Sequence, residues 1–245
     1  MAIYKNTPPI VTNGLVIYLD AGSSQSYPGS GTTWQDLSGN NYSASMSGSV
    51  PYSASAQPPY FSYSGGTYDF QGSNNLTSSV VNEVTIISVA TIRDLTQRSV
   101  LFSKYQATGI PGYSLEVGTA TSLWTNTMRF YCSGISGGGF DLRGTIQLTN
   151  NKPYMFAVVY SKTNNTALMY YNNILMPYTS VGTIATNGTD WSQGAINYAI
   201  GSLRPTQPGT PAYMSQYNTI VYNRFLSAQE IAQNYNALKS RYGLT

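Results

Sequence analysis

Nine acids hold all the side-chain carboxyl chemistry of this 245-residue chain, and it contains no histidine. Hydrolysis of a glycosidic bond needs two carboxyl groups held about 5–9 Å apart. No strand-like run here carries two acids one residue apart, and Glu83, Asp94 and Glu116 stand isolated in sequence. The lack of His removes His-based triads, His general acid–base work and the commonest zinc ligand. Cys132 is the only cysteine, so no intramolecular disulfide can form. It sits in the strand-like run Thr127-Met128-Arg129-Phe130-Tyr131-Cys132 and reads as a buried structural thiol. Calcium needs about six to eight oxygens. Asp20, Asp36, Asp69 and Asp190 lie in turn regions without calcium-loop spacing, and Asp20 and Asp36 fit turn caps better. Gly137-Gly138-Gly139 has no Lys and no strand-to-helix context, which argues against a phosphate-cradling loop. The expectation is a non-enzymatic protein without a cofactor, calcium being the one ion these acids could serve.

Binding chemistry is better represented. Sugars are held by aromatic platforms with amides and carboxylates around them. Trp124 and Trp191 lie in loop-like surroundings and are the candidate carbohydrate- or partner-binding residues. The 22 tyrosines suit protein contacts equally, because Tyr gives large area at low entropy cost. Charged residues are 9% of the chain and the net charge is only +3, with no basic cluster, which argues against nucleic acid. No run approaches the roughly 18 apolar residues of a membrane span. The first residues have no apolar signal core, so the three Asn-x-Thr matches at Asn75, Asn164 and Asn187 read as chance.

The elements that must position these groups are strands. Leu15, Ile17 and Leu19 alternate with Val16, Tyr18 and Asp20, and both sets are largely apolar, which predicts an inner strand over 14–20. Asp20-Ala21-Gly22 stops it as a turn. The clearest alternation runs over Val84 to Ile92. Further strands are expected near 42–46, 60–63, 67–70, 76–80, 100–104, 113–117, 128–132, 145–148, 153–160, 198–201 and 217–222. Ala167–Tyr171 and Ile174–Met176 form a hairpin about Asn172-Asn173. Twelve to fourteen short strands in one series predict one all-β domain. A helix closes it. Ser227 and Glu230 form a capping box, Ile231, Tyr235, Leu238 and Tyr242 share a face, and Gly243 is the C-cap. Residues 1–13 read as an extended arm, because Pro8 and Pro9 exclude a helix.

Two long motifs carry a resemblance. The first is Gly14-Leu15-Val16-Ile17-Tyr18-Leu19-Asp20-Ala21-Gly22, continuing through Ser26-Tyr27-Pro28-Gly29-Ser30-Gly31-Thr32-Thr33-Trp34 to Asp36-Leu37-Ser38-Gly39-Asn40. The second is Ile220-Val221-Tyr222-Asn223-Arg224-Phe225-Leu226-Ser227, leading through Glu230-Ile231 to Asn234-Tyr235-Asn236. The chain resembles the laminin G-like, or concanavalin A-like, lectin and glucanase domain, in the version found in structural proteins of tailed bacteriophages. Tyr68-Asp69-Phe70-Gln71-Gly72 is similar to the family's aromatic-Asp-Gly segment, with Gln71 where Asp is usual. The resemblance implies a jelly-roll sandwich of two antiparallel sheets with one short C-terminal helix, over 14–245. It implies a virion setting, assembled in the host cytoplasm.

The expectation is therefore a capsid decoration or accessory protein presenting a lectin-like domain. The alternative is a tail- or fibre-associated module that binds host-surface carbohydrate. Other virion proteins are the expected partners, in a homo-oligomer with a trimer as first expectation. Ile3, Tyr4, Ile10 and Val11 are the apolar anchors of the arm as an attachment element.

Overall fold

The computed structural model describes residues 9–66, 68–73, 76, 82–105, 112–120, 124–133, 139–182, 197–203 and 212–245. Among the described residues seventeen strands form two antiparallel sheets. The first sheet contains β1 (Leu15–Asp20), β4 (Tyr52–Ser53), β5 (Tyr60–Ser64), β7 (Glu83–Ile92), β12 (Pro153–Ser161), β13 (Thr166–Tyr171), β14 (Ile174–Leu175) and β17 (Tyr213–Tyr222). Its order is β14-β13-β12-β7-β17-β5-β4, and β1 pairs with the second half of β17. The second sheet contains β2 (Thr33–Trp34), β3 (Ala44–Ser47), β6 (Asp69–Gly72), β8 (Ser99–Lys104), β9 (Gly112–Ala120), β10 (Trp124–Ser133), β11 (Gly139–Gly144), β15 (Tyr178–Val181) and β16 (Tyr198–Ile200). Its order is β15-β11-β10-β9-β8-β16-β6-β3-β2. The result is the expected jelly-roll-like sandwich.

The alternation of β7 decides where the core lies. Val84, Ile86, Ala90 and Ile92 face the second sheet, in one cluster with its Leu101, Leu115 and Phe130 and with Phe156 of neighbouring β12. Trp34 is fully buried between Phe61 and Phe70, with ring centroids 4.7 and 5.2 Å away. Ile87 and Val89 face outwards and would meet water, but the closing helix α1 (Ala228–Tyr242) covers them. Ile231, Leu238 and Tyr242 of α1 pack there with Met155, Val159 and Ile220. The sandwich is thus capped on one outer face by a third layer.

Residues 9–13 join that layer. Val11 is buried, Asn234 of α1 accepts its N–H at 2.9 Å, and Tyr222 donates to its carbonyl at 2.9 Å. Ile10 packs on the same cluster. Ile3 and Tyr4 lie outside the described residues.

Four expectations differ from the fold. Residues 145–148 are no strand: Thr145 and Leu148 make single backbone bonds to Pro177 and Asn126. The strand is β11 just before them, with Phe140 and Leu142 inward and Asp141 and Arg143 outward. No strand is expected there from the sequence. The short edge strands β2, β4 and β15 carry too few residues to show a period. The first strand has β17 as a partner on one edge alone. Its other edge is closed by loop side chains. Asp36 accepts the Tyr18 N–H at 2.8 Å, Ser38 donates to the Val16 carbonyl at 2.7 Å, and Asn40 donates to that of Leu15 at 3.0 Å. The expected strand over 76–80 falls outside the described residues, except for Leu76.

Candidate functional site

The third layer does not cover the whole outer face of the first sheet. Beyond the C-terminal end of α1 a groove of about 500 Å³ remains. Its floor is Thr91 of β7, Pro153 of β12 and Ser215 and Tyr217 of β17. Tyr60 opens β5 on one side, and Gln57 and Pro58 lead into it. Arg93 and Asn151 close another side, and Arg241, Tyr242 and Gly243 form the helix end.

Three tyrosines give the groove its aromatic wall. Tyr217 meets Tyr60 edge-on at 5.6 Å and Tyr242 at 5.4 Å, between centroids. Tyr217 and Tyr60 are half-buried, and the Tyr217 hydroxyl lies 3.3 Å from Thr91 Oγ1. Such rings combine an apolar face with a polar tip.

The helix end is fixed by one carboxylate. Asp20, at the end of β1, is 1% exposed. It accepts from Arg241 Nη1 at 2.5 Å and Nη2 at 2.8 Å, from Tyr18 at 3.1 Å, from Tyr242 at 3.3 Å and from the Gly22 N–H at 2.9 Å. Burial first, and then the Asp20 charge, push the Tyr18 and Tyr242 phenols well above their ordinary range, so both stay protonated donors. A Cβ at Gly22 would meet Arg241 Nη2, so a side chain there would push the guanidinium off Asp20. The Asp-Ala-Gly turn read from the sequence is therefore also the seat of the terminal helix.

Arg93 is held differently. Nη1 donates to Ser62 Oγ at 2.9 Å, and Nη2 donates to the Met214 carbonyl at 3.1 Å and to the Tyr63 carbonyl. All three acceptors are neutral.

A second cluster lies on the outer face of the second sheet. The ladder brings Arg143, Arg129 and Glu116 side by side. Glu116 is fully buried and accepts from Arg98 at 2.6 and 2.8 Å, from Arg129 at 3.0 Å and from Ser114 at 2.5 Å. Arg129 also binds Asp141 at 2.7 and 3.0 Å, and Arg143 joins Asp141 at 2.8 Å. Burial alone would raise the Glu116 carboxyl, but the charges of Arg98 and Arg129 outweigh it and hold it below its ordinary value. Asp141 is lowered in the same way: burial opposes, and bonds from Arg129 and Arg143 win. Both are ionised at neutral pH, so neither supplies the proton of a general acid. Glu83 is occupied by Ser161 and the Phe225 N–H, and Asp94 by Thr96.

Trp124 begins β10 beside this cluster, with the Arg129 guanidinium 5.9 Å from its ring centroid. It is 5% exposed and forms no part of the groove. Trp191 and Asp190 lie outside the described residues. No group of three His, Cys, Asp or Glu side chains is placed to hold a metal among the described residues. Asp36 spends its two oxygens on the N–H groups of Tyr18, Ser38 and Tyr42 and on the Ser38 hydroxyl. The groove was not singled out in the sequence, since its lining comes from five separate stretches of chain.

No protein-family profile and no curated protein matches the sequence. Solved structures do resemble the fold. The binding domain of Paraclostridial Mosquitocidal Protein 1 superposes with a TM-score of 0.66 at 14% identity, over 92% of this chain and 52% of that one. The binding domain of Botulinum Neurotoxin DC in complex with SialylT gives 0.64 at 13%, over 93% and 52%. Trypanosoma rangeli sialidase gives 0.62 at 16%, over 95% and 34%. The chain thus spans about half of each toxin domain and a third of the sialidase. At these identities the likeness defines the fold alone, a jelly-roll-like sandwich of two antiparallel sheets.

Proposed function

We propose that this chain is a non-enzymatic carbohydrate-binding module, displayed on a bacteriophage particle and directed at glycans of the host surface. The observation that carries the reading is the groove: a tyrosine wall flanked by Arg93, Asn151 and Arg241, on the open half of a lectin-type sandwich. Sugar rings present flat C–H faces to aromatic side chains and hydroxyls to amides and guanidinium groups. Two similar solved structures are toxin binding domains, and one of them holds SialylT. The ionised, arginine-bound state of Glu116 and Asp141 supports a role without hydrolysis. Trp191 is a further proposed contact.

The test is a glycan array with the whole chain, followed by titration of the strongest hit. Tyr217→Ala should weaken binding at least tenfold with the far-ultraviolet dichroism unchanged. Unaltered affinity would remove the groove from the reading.

A second reading, a capsid decoration or accessory protein in contact with other virion proteins, is favoured by the two sheet edges. Ile174 and Leu175 on edge strand β14 and Val181 on edge strand β15 are about half exposed. Apolar edge strands are sites of pairing with other chains. A homo-oligomer, with a trimer as the first expectation, and attachment through Ile3 and Tyr4 belong to this reading. Mass spectrometry of purified particles tests the setting, and absence of the chain would end it.

A further inference from the structure

Every described arginine but one has a carboxylate partner. Arg98 and Arg129 bind Glu116, Arg129 and Arg143 bind Asp141, Arg224 binds Glu230, and Arg241 binds Asp20. Arg93 alone is held only by neutral oxygens, those of Ser62, Tyr63 and Met214, among the described residues. A guanidinium has five N–H donors. Three are used there, and the Nε–H and one Nη1–H remain. Arg93 lines the groove, and no Asp or Glu does. Arg241, the other cation of the lining, is neutralised by buried Asp20. The C-terminus of α1 adds about half a negative charge, which Lys239 of the last turn offsets. Among the described residues the groove therefore carries one fixed positive charge without a counter-ion, in a protein with few charges to spare.

We infer that the groove's ligand is an acidic glycan, whose sugar carboxylate pairs with Arg93 while its ring lies against Tyr217 and Tyr60. This rests on the carbohydrate-binding reading and deepens it. A carboxylate in the groove completes the pairing that every other described arginine has inside the fold. Charge-assisted bonds of this kind are roughly twice as strong as neutral ones. Neutral sugars would leave the Arg93 charge facing their hydroxyls alone.

The test uses the whole chain on an array of sialylated, uronate-bearing and neutral oligosaccharides. The strongest acidic hit is then titrated beside its carboxyl-reduced counterpart. The expected result is that hits carry carboxylates and that reduction weakens binding at least tenfold. Arg93→Gln should weaken the acidic hit by a similar factor, and Arg93→Lys by less. If Arg93→Gln fails to fold, the reduced-glycan comparison on the unaltered chain still decides the charge preference, and Arg93→Lys decides the site. Equal affinity for the acid and its reduced form would overturn the inference while leaving a carbohydrate site in place. Hits among neutral glycans alone would do the same. An array with no hit would overturn this inference and the proposed function together. Loss on reduction with full binding by both Arg93 variants would place the charge recognition elsewhere and overturn the assignment to Arg93.

Discussion

Two buried charges illustrate how differently the fold treats ions. Glu116 has a guanidinium on each side and a hydroxyl besides. Its carboxyl titrates below the ordinary 4.5. A carboxyl lowered by folding adds stability that is present above the unfolded value and is lost as pH falls through the folded value. Stability should accordingly decline on acidification below about pH 4.5. Glu116→Gln should cost roughly 3 kcal/mol at pH 7, because it leaves Arg98 and Arg129 facing a neutral group. It should also flatten the acid limb of a urea-denaturation series taken from pH 7 to 3, and an unchanged limb would contradict this account. Lys104 is the opposite case. It is 1% exposed, and its Nζ has no partner among the described residues. Burial lowers its ammonium to about 8 from 10.5. The folded chain then binds fewer protons than the unfolded chain between those values, so stability should rise as pH climbs from about 8 to 10.5. Lys104→Met should stabilise the protein by about 2 kcal/mol at pH 7 and abolish that rise. Thermal melts at pH 7 and pH 10 would show it, and a fall in melting temperature at pH 7 would refute it.

At the scale of elements, the closing helix is specified locally. Ser227 accepts the Glu230 N–H at 3.3 Å, and Glu230 accepts the Ser227 N–H at 2.9 Å. Glu230 also pairs with Arg224 at 2.5 and 2.9 Å. Gly243 ends the helix at φ +63°, where a glycine has no Cβ penalty. Ser227→Ala should cost about 1 kcal/mol, read as a lower denaturation midpoint with an unchanged slope, whereas no shift would mean that tertiary packing alone holds the helix. Such signals lie within a few residues of each other and are readable in sequence. The same holds for β7, whose length lets the alternation show, and for β12, a long and nearly unbroken apolar run. The edge strands, the closure of β1 by Asp36, Ser38 and Asn40, and the groove are not readable in this way. Each depends on residues brought together from distant stretches. Tyr242 shows the limit well. In sequence it is the last apolar position of a helix stripe, and in space its hydroxyl serves Asp20 while its ring walls the groove. In sequence Trp124 and Trp191 stand out as platforms by their loop-like surroundings. Among 22 tyrosines, Tyr60 and Tyr217 carry no mark of their own until the fold sets them together.

At the scale of the molecule, one thiol reports on the whole core. Cys132 is fully buried within the main cluster, and burial raises it well above its ordinary value. Only the thiolate reacts, so modification must wait for the sandwich to open. Labelling of native protein by a disulfide reagent should be at least a thousandfold slower than in denaturant, and it should slow further whenever Lys104→Met stabilises the fold. Fast labelling of native protein would show that the second sheet opens on its own.

The position of β17 has a consequence for how the chain comes into being. It is the axis of the first sheet, paired along one edge with β7 and along the other with β5 and then β1. Leu15 of the first strand faces Tyr222 of the last. On a ribosome that adds about 5–20 residues per second, some 10–40 seconds separate the appearance of these two strands. Through that interval β1 has no strand to pair on, and the segments β14-β13-β12-β7 and β5-β4 lack the strand that joins them. The first sheet therefore cannot be completed from its early strands. It must close in one late step, when β17 emerges and α1 follows to cover the outer face.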